Sequence, residues 1–359
     1  MTIMECLNYP YVNDSILKYN VLSDGTCSVI DLVGNDSITD FLFPSEIDSM
    51  PVVHIANAAL SALPNVCKIR IPASVELLGD YIGDPEDRKV SAPVFSELLE
   101  SIVVDKKNKF YCSVKGILYS KNMEVLYYCP RYNEWRGAKV GGKTKIIKTR
   151  AFAGCHYLET ASVLADVIES EAFEGCIRLK EALCDVSTIE DKAFASCDGL
   201  KEVILGNQLE YVGDYAFANC YSLKAVYSDT DKLARMNTSC FEHCRSLNTI
   251  SIPDGSDFIS IENVVFRKSN ADNKYIVSDI PEGMYNLVLF PSSRRSTEYV
   301  APLNIYSIED GAFMDLVYPL KLSMPFKCIV DFDKQDSLEY LKVDYLEDEL
   351  SVYPNWKIC

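Results

Sequence analysis

Residues Gly137 to Thr144 read GAKVGGKT and satisfy the phosphate-loop pattern G-x-x-x-x-G-K-[ST]. Such a loop cradles phosphates with backbone N–H groups and a lysine, here Lys143, and places a threonine hydroxyl on magnesium. It needs a strand before it and a helix after it. The residues that follow, KIIKTRAFAGC, belong to a repeat, so a glycine turn is expected here. Two further pairings could support nucleophilic chemistry: His156 follows Cys155, and His243 precedes Cys244. A cysteine that points inward sends its neighbour outward, which works against a thiol–imidazole dyad. With His54 these are the three histidines of the chain, and it carries no nucleophile elbow and no dinucleotide-binding glycine motif. The nearest cysteines, Cys240 and Cys244, lack the second cluster a structural zinc site requires. No catalytic residue, metal or cofactor is therefore expected.

Charge and apolar exposure mark two other places. Residues 131–150 hold Arg131, Arg136, Lys139, Lys143, Lys145, Lys148 and Arg150 against the single acid Glu134. That is a local balance of +6 in a chain of net charge −17, with Tyr132 and Trp135 at its start. An acidic protein segment or a sulfated sugar is the kind of partner that would dock there. The acidity of the rest argues against nucleic acid or an anionic membrane, both of which need a positive face. The second place is a column of residues, Ser162, Leu183, Ile204, Tyr227 and Ser251, expected to point outward from successive strands. Within it Leu183, Ile204 and Tyr227 would form an apolar stripe, beside stacked Lys180, Lys201 and Lys224 and with Glu181 and Glu202 next in sequence. Exposed stripes of this kind mark interaction surfaces.

The elements that would position these residues come from a repeat. AFAGCHYL at Ala151 returns as AFEGCIRL at Ala172, AFASCDGL at Ala193 and AFANCYSL at Ala216. Phe152, Phe173, Phe194, Phe217 and Phe241 are followed three residues on by Cys155, Cys176, Cys197, Cys220 and Cys244, then by Leu158, Leu179, Leu200, Leu223 and Leu247. Phe313 continues the frame after a gap of three further steps. A fixed period of this length marks a solenoid in which one unit is one coil. Each coil carries a short strand such as LNTISIP, in which Leu247, Ile250 and Ile252 face inward and Pro253 ends the run. A second apolar residue, Ile168, Ile189, Val212 or Ile308, precedes the next Ala-Phe. One coil cannot bury its own apolar edge, so every level refills the same slot, at about 4.8 Å from the next. The cysteine column is read as small buried thiols, unpaired, in a tight slot.

These motifs resemble the BspA-like, or Treponema-type, leucine-rich repeat family, whose unit runs L-x-x-I-x-I-P, then I-G-x-x-A-F, two residues, and C. LNTISIP, YVGDYAFANC and SIEDGAFMD carry the likeness, which spans roughly residues 15 to 330. The stretch from Ser45 to Ile82 fits the frame with Leu60, Leu63 and Val66 in the Phe, Cys and Leu slots. Phe95 lacks its cysteine, segment 80–94 is irregular, and Asp315 falls near a cysteine position, so bulged coils are expected there. The resemblance implies a leucine-rich repeat solenoid with one parallel strand per coil, short turns or helical segments, hairpin insertions at 111–135 and 261–292, and end caps at 1–32 and 331–359. The repeats at 33–330 and the caps are expected to form one continuous domain. GILYSKNMEVLYYCP looks like the first insertion; NVVFRKS with NLVLFP looks like the second, with a polar loop at about 269–285. In function the resemblance implies a non-enzymatic adhesion or protein-interaction scaffold, of bacteria and some protozoan parasites, secreted or on the cell surface. Its ligand would be a host, matrix or cell-surface protein or a glycan; the 22 tyrosines favour the carbohydrate alternative. Nucleotide binding at Gly137–Thr144 is the rival reading. No apolar run is long enough for a membrane span, and MTIMECLNYPYVNDS does not read as a signal peptide. A cytoplasmic location is the alternative.

Overall fold

The computed structural model describes residues 7–12, 15–33, 37–82, 88–268, 283–325, 328–330 and 340–346. Most of the expected polar loop at 269–285 and most of the expected cap at 331–359 lie outside these residues, as does part of segment 80–94. The architecture is that of a leucine-rich repeat solenoid with little helix, but the regular coils contribute two short strands each rather than one. Glu202–Leu205 and Tyr211–Val212, for example, pair in parallel with Glu181–Asp185 and Thr188–Ile189 in two separate sheets. The chain falls into two compact units, Met1–Leu158 with Ile168–Cys176, and Glu159–Val167 with Ile177–Cys359.

In the first unit, Leu7–Val12, Ser15–Val21 and Cys27–Val33 are antiparallel, and Cys27–Val33 then pairs in parallel with Met50–Ile55. The Asp24–Gly25 turn is tied by the Asp24 carboxylate, which accepts from both the N–H and the hydroxyl of Thr26. One strand per coil follows in a parallel sheet: Asp40–Leu42, Lys68–Ile71 and Ser101–Val104, with Phe41, Ile69 and Ile102 in register and buried. Leu60, Leu63 and Val66 fill the core slots assigned to them. Tyr111–Val114, Ile117–Ser120 and Val125–Tyr128 form an antiparallel meander, and Val125–Tyr128 returns to the coil frame by pairing in parallel with Ile146–Ile147. Phe152 and Phe173 stack with centroids 4.7 Å apart and rings 3° from parallel.

The second unit contains the most regular sheet: Thr160–Leu164, Glu181–Asp185, Glu202–Leu205, Ala225–Ser228 and Thr249–Ser251, all parallel. Behind it Phe194, Phe217 and Phe241 stack at 5.2 and 5.5 Å. Ile189, Val212, Leu247, Ile250 and Ile252 are buried as their spacing requires. An antiparallel set, Phe258–Ile261, Val264–Lys268 and Tyr285–Leu289, follows. Its last strand pairs in parallel with Ile305–Ile308, and Phe290 packs on Phe313 at 5.5 Å.

The backbone of each turn explains the alanine and cysteine slots. The Phe N–H donates to a carbonyl of the neighbouring coil: Phe152 to Ala172, and Phe194 to Ala216, both at 2.7 Å. A small side chain before the phenylalanine lets the backbones approach this closely; where Cys240 takes the slot, the Phe217 N–H still reaches its carbonyl at 2.9 Å. The cysteine does a second job. Cys176 Sγ donates to the carbonyl of Phe152 at 3.0 Å, Cys220 Sγ to that of Phe194 at 3.2 Å, and Cys244 Sγ to that of Phe217 at 3.1 Å. A carbonyl has two acceptor sites, and at Phe152 the Cys155 N–H takes one while the Cys176 thiol takes the other. The twelve cysteines among the described residues are free thiols.

Candidate functional site

The sheet of the second unit sets the outward column by simple alternation. Ala182, Cys184, Val203, Leu205 and Val226 point into the core, so the residues between them point out. Ser162 faces Leu183, Leu183 faces Ile204, Ile204 faces Tyr227, and Tyr227 faces Ser251. Leu183 and Tyr227 are each 40% exposed, and Ile204 between them is half-buried by its neighbours. Leu164, two residues past Ser162 on the same side of its strand, is 55% exposed and diagonal to Leu183. It enlarges the apolar patch and was not in the column read from sequence. The signal was one more step of the same alternation.

Backbone bonds stack the lysines beside this stripe: Lys180 N–H to Glu159, Lys201 to Lys180, and Lys224 to Lys201. The Lys180 ammonium is paired with the Glu159 carboxylate at 2.7 Å. Among the described residues no ion pair joins Lys201 or Lys224 to an acid. Like charges at strand spacing repel, and here two of three stay uncompensated at the edge of an apolar strip.

The basic segment of the first unit is less charged than counting along the chain implies. Arg131 pairs with Glu97, Lys145 with Glu124, Lys148 with Glu169 and Arg150 with Glu171. Each acid lies 21 or more residues away in sequence and a coil or hairpin away in space. Lys139 and Lys143 are exposed without an ion-pair partner among the described residues, and Arg136 is exposed. Trp135 packs against Phe152 at 6.3 Å, and the Lys115 ammonium stands 5.8 Å from the indole centroid.

The phosphate-loop pattern does not take up a phosphate-loop fold. Gly137–Val140 is a strand, Gly142 turns the chain at φ +75, and Ile146–Ile147 is another strand where a helix would have to begin. The Thr144 hydroxyl, buried, donates to the Met123 carbonyl at 3.1 Å. The cysteine–histidine pairs diverge as well. Cys155 and Cys244 are buried while His156 and His243 are half-exposed. A hydrogen bond with Cys129 and burial raise the Cys155 thiol well above its usual range, and burial raises Cys244. Neither is poised as a thiolate. His156 lies against Tyr132 at 4.7 Å. His54 is buried between the Ser28 hydroxyl and the Gly79 carbonyl, both at 2.6 Å. Among the described residues no group of three or more His, Cys, Asp or Glu side chains is placed to hold a metal ion. Nor is any helix among them long and apolar enough to cross a membrane.

The family description "BspA type Leucine rich repeat region" matches residues 120–247 and 166–288, in 6 copies. Residues 120–288 are BspA-type leucine-rich repeats. Similar solved structures include a leucine-rich repeat protein of Eubacterium ventriosum, 18% identical with a TM-score of 0.44, over 71% of this chain and 93% of that one. A leucine rich cell surface protein of Faecalibacterium prausnitzii is 19% identical with a TM-score of 0.43, over 91% and 73%. The pneumococcal vaccine antigen PcpA is 15% identical with a TM-score of 0.42, over 96% and 100%. Among curated proteins none matches the chain.

The BspA-type turns have a regularity that residue types concealed. Two residues per turn are left-handed, two before and two after the phenylalanine: Arg150 and Gly154, Glu171 and Gly175, Lys192 and Ser196, Tyr215 and Asn219, Gly311 and Asp315. Only some are the glycines that advertise such a conformation. At Phe241 the first position is replaced by the 3-10 helix Thr238–Phe241, and only His243 is left-handed.

Proposed function

We propose that this protein is a non-enzymatic interaction scaffold of the BspA type that holds a protein partner on the sheet face built from Leu183, Ile204 and Tyr227, extended by Leu164 and edged by Lys201 and Lys224. The observation that carries the reading is the register: three apolar side chains stand outward on adjacent parallel strands, although each could be polar without cost to the core. A partner suited to this face has an apolar centre with carboxylates at its rim. Interfaces draw their energy from such central apolar and aromatic anchors, while rim charges act mainly on encounter rate. Action at a cell surface on a host, matrix or neighbouring-cell macromolecule is part of the proposal and rests on the family resemblance.

The test uses a photo-crosslinking residue at position 204, with the protein presented to intact cells and to purified matrix proteins. A crosslinked partner that is lost in Leu183→Asp/Tyr227→Asp, and kept in a control such as Lys109→Ala, supports the reading. Binding that survives the double substitution removes this face as the contact surface. Accessibility of the protein to a membrane-impermeant biotin reagent on its native cells tests the location.

A further inference from the structure

After Arg131, Lys145, Lys148 and Arg150 are paired with acids, Lys115 and Lys139 have no ion pair among the described residues. Both line one hollow of about 180 Å³, whose walls include Val114, Tyr119, Trp135 and Val140. No carboxylate is among the described residues lining it. A second, more open hollow of about 410 Å³ shares Lys115 and Trp135 and adds Tyr132, Asn133 and the acids Glu100 and Glu134, so the anion-selective part is the smaller one. The indole and the Lys115 ammonium are thus common to both.

The parts are held before any ligand arrives. The Asn133 amide donates to the carbonyls of Glu100 at 3.1 Å and Lys115 at 2.9 Å, and its oxygen accepts the Trp135 N–H at 3.1 Å. One side chain therefore fixes both the lysine turn and the tryptophan backbone. Gly116, at φ +79, completes that turn; a Cβ there would stand 2.8 Å from the Ser101 hydroxyl and 3.0 Å from the Asn133 amide. Burial pushes the Tyr119 phenol up to about 12, so it stays a neutral donor.

We propose that this hollow binds a negatively charged pyranose, with the sugar's C–H face on the Trp135 indole and its carboxylate or sulfate within reach of Lys115 and Lys139. The electron-rich face of an indole attracts the polarised C–H groups of a pyranose, and two unpaired ammonium groups select for an anion. An acidic peptide side chain supplies the charge but no ring for the indole. At about 180 Å³ the hollow is smaller than the roughly 300–1,000 Å³ of pockets that bury most of a drug-sized ligand, a size for one ring rather than a whole oligosaccharide. The site lies wholly within the first unit, so its test is independent of the sheet-face reading.

Trp135 can report occupancy directly once the other tryptophan is removed by Trp356→Phe. In that background the indole fluorescence is titrated with a heparin tetrasaccharide, a hyaluronan tetrasaccharide, neutral maltotetraose, ATP and a tetraglutamate peptide. The expected result is saturable binding of one or both acidic sugars, at least tenfold tighter than maltotetraose. Roughly tenfold weakening is expected in Lys115→Ala or Lys139→Ala, the loss of one charge-assisted contact. Asn133→Ala should also weaken binding, and Lys109→Ala should leave it alone, with circular dichroism confirming that each variant is folded. Preference for heparin assigns the anion as sulfate; preference for hyaluronan assigns it as carboxylate. No saturation by either acidic sugar at millimolar concentration overturns the proposal. So does tighter binding of ATP or the peptide, or binding indifferent to both lysines.

Discussion

The carboxylate of Asp315 accepts both the backbone N–H and the Nδ1–H of His243, each at 2.8 Å, across 72 residues of sequence. In the regular turns the equivalent N–H finds a backbone carbonyl of the next coil: Ser196 donates to Ala218, and Asn219 to Glu242. After Phe241 the chain leaves for the antiparallel insertion, and the segment that follows Phe290 carries Pro291 and Ser292 instead of a standard turn. A side chain from the coil of Phe313 reaches over and supplies the missing acceptor. Asp315 thus sits in the left-handed slot that Gly154, Gly175, Ser196 and Asn219 hold in other turns, while buried Leu316 takes the cysteine slot, and Arg245 adds a longer contact of 3.4 Å.

Replacing Asp315 by alanine leaves that N–H without its acceptor in a half-buried turn. The expected loss is about 1–3 kcal/mol, with faster hydrogen exchange at the His243 amide. Asp315→Asn keeps an oxygen acceptor and should fall between wild type and alanine. Equal exchange at His243 in all three proteins would show that the carboxylate is incidental.

Phe217 is sandwiched between Phe194 and Phe241 and is fully buried. Phe217→Ala removes both ring contacts and leaves a cavity that stacked coils cannot close, a cost of about 3–5 kcal/mol. Chemical denaturation should show the midpoint falling, and nearest-neighbour coupling should spread the effect to the adjacent coils first. A loss below about 1 kcal/mol would mean that the column relaxes freely.

The core was legible because one slot is refilled at every level: Phe173, Cys176 and Leu179 announce their role by returning as Phe194, Cys197 and Leu200. The outward column Leu183, Ile204, Tyr227 was legible for the same reason, since repeat alignment plus strand alternation fixes both level and face. What escaped were relations between levels that are not repeats. Glu97, Glu124, Glu169 and Glu171 neutralise much of the basic segment from neighbouring coils or a hairpin, so local counting overstated its charge. Lys115 reaches Trp135 only through the hairpin turn. The left-handed residues Arg150, Lys192 and Tyr215 are not glycines, and their types say nothing of their backbone.

The thiol ladder predicts a reactivity order. Cys176, Cys220 and Cys244 are buried and donate to carbonyls, whereas Cys67 and Cys112 are partly exposed. Brief treatment of the native protein with iodoacetamide, followed by peptide mass spectrometry, should label Cys67 and Cys112 and spare the ladder. Labelling of Cys220 at a comparable rate would require the coils to open far below the global unfolding free energy.

His54 should make stability fall in mild acid. The Gly79 carbonyl can only accept, so Nε2 carries the proton; Nδ1 then accepts from the Ser28 hydroxyl, and the ring is neutral. Burial lowers the pKa of this histidine from its usual 6.5, against smaller opposing effects of the Gly79 contact and Asp80. The unfolded chain therefore binds the proton first. Stability is full above about pH 6.5 and is lost as pH falls toward the folded value, with a slope of at most about 1.4 kcal/mol per pH unit for one proton. The lowered carboxyls Asp31 and Asp40 act only below about 3.8, their usual value, so the windows are separate. Urea midpoints measured from pH 7.5 to 5 should decline for the wild type, and the decline should be shallower for His54→Gln, whose amide retains a donor and an acceptor but does not titrate. Parallel slopes for the two proteins would place the acid sensitivity elsewhere than in the contact that joins Cys27–Val33 to Met50–Ile55.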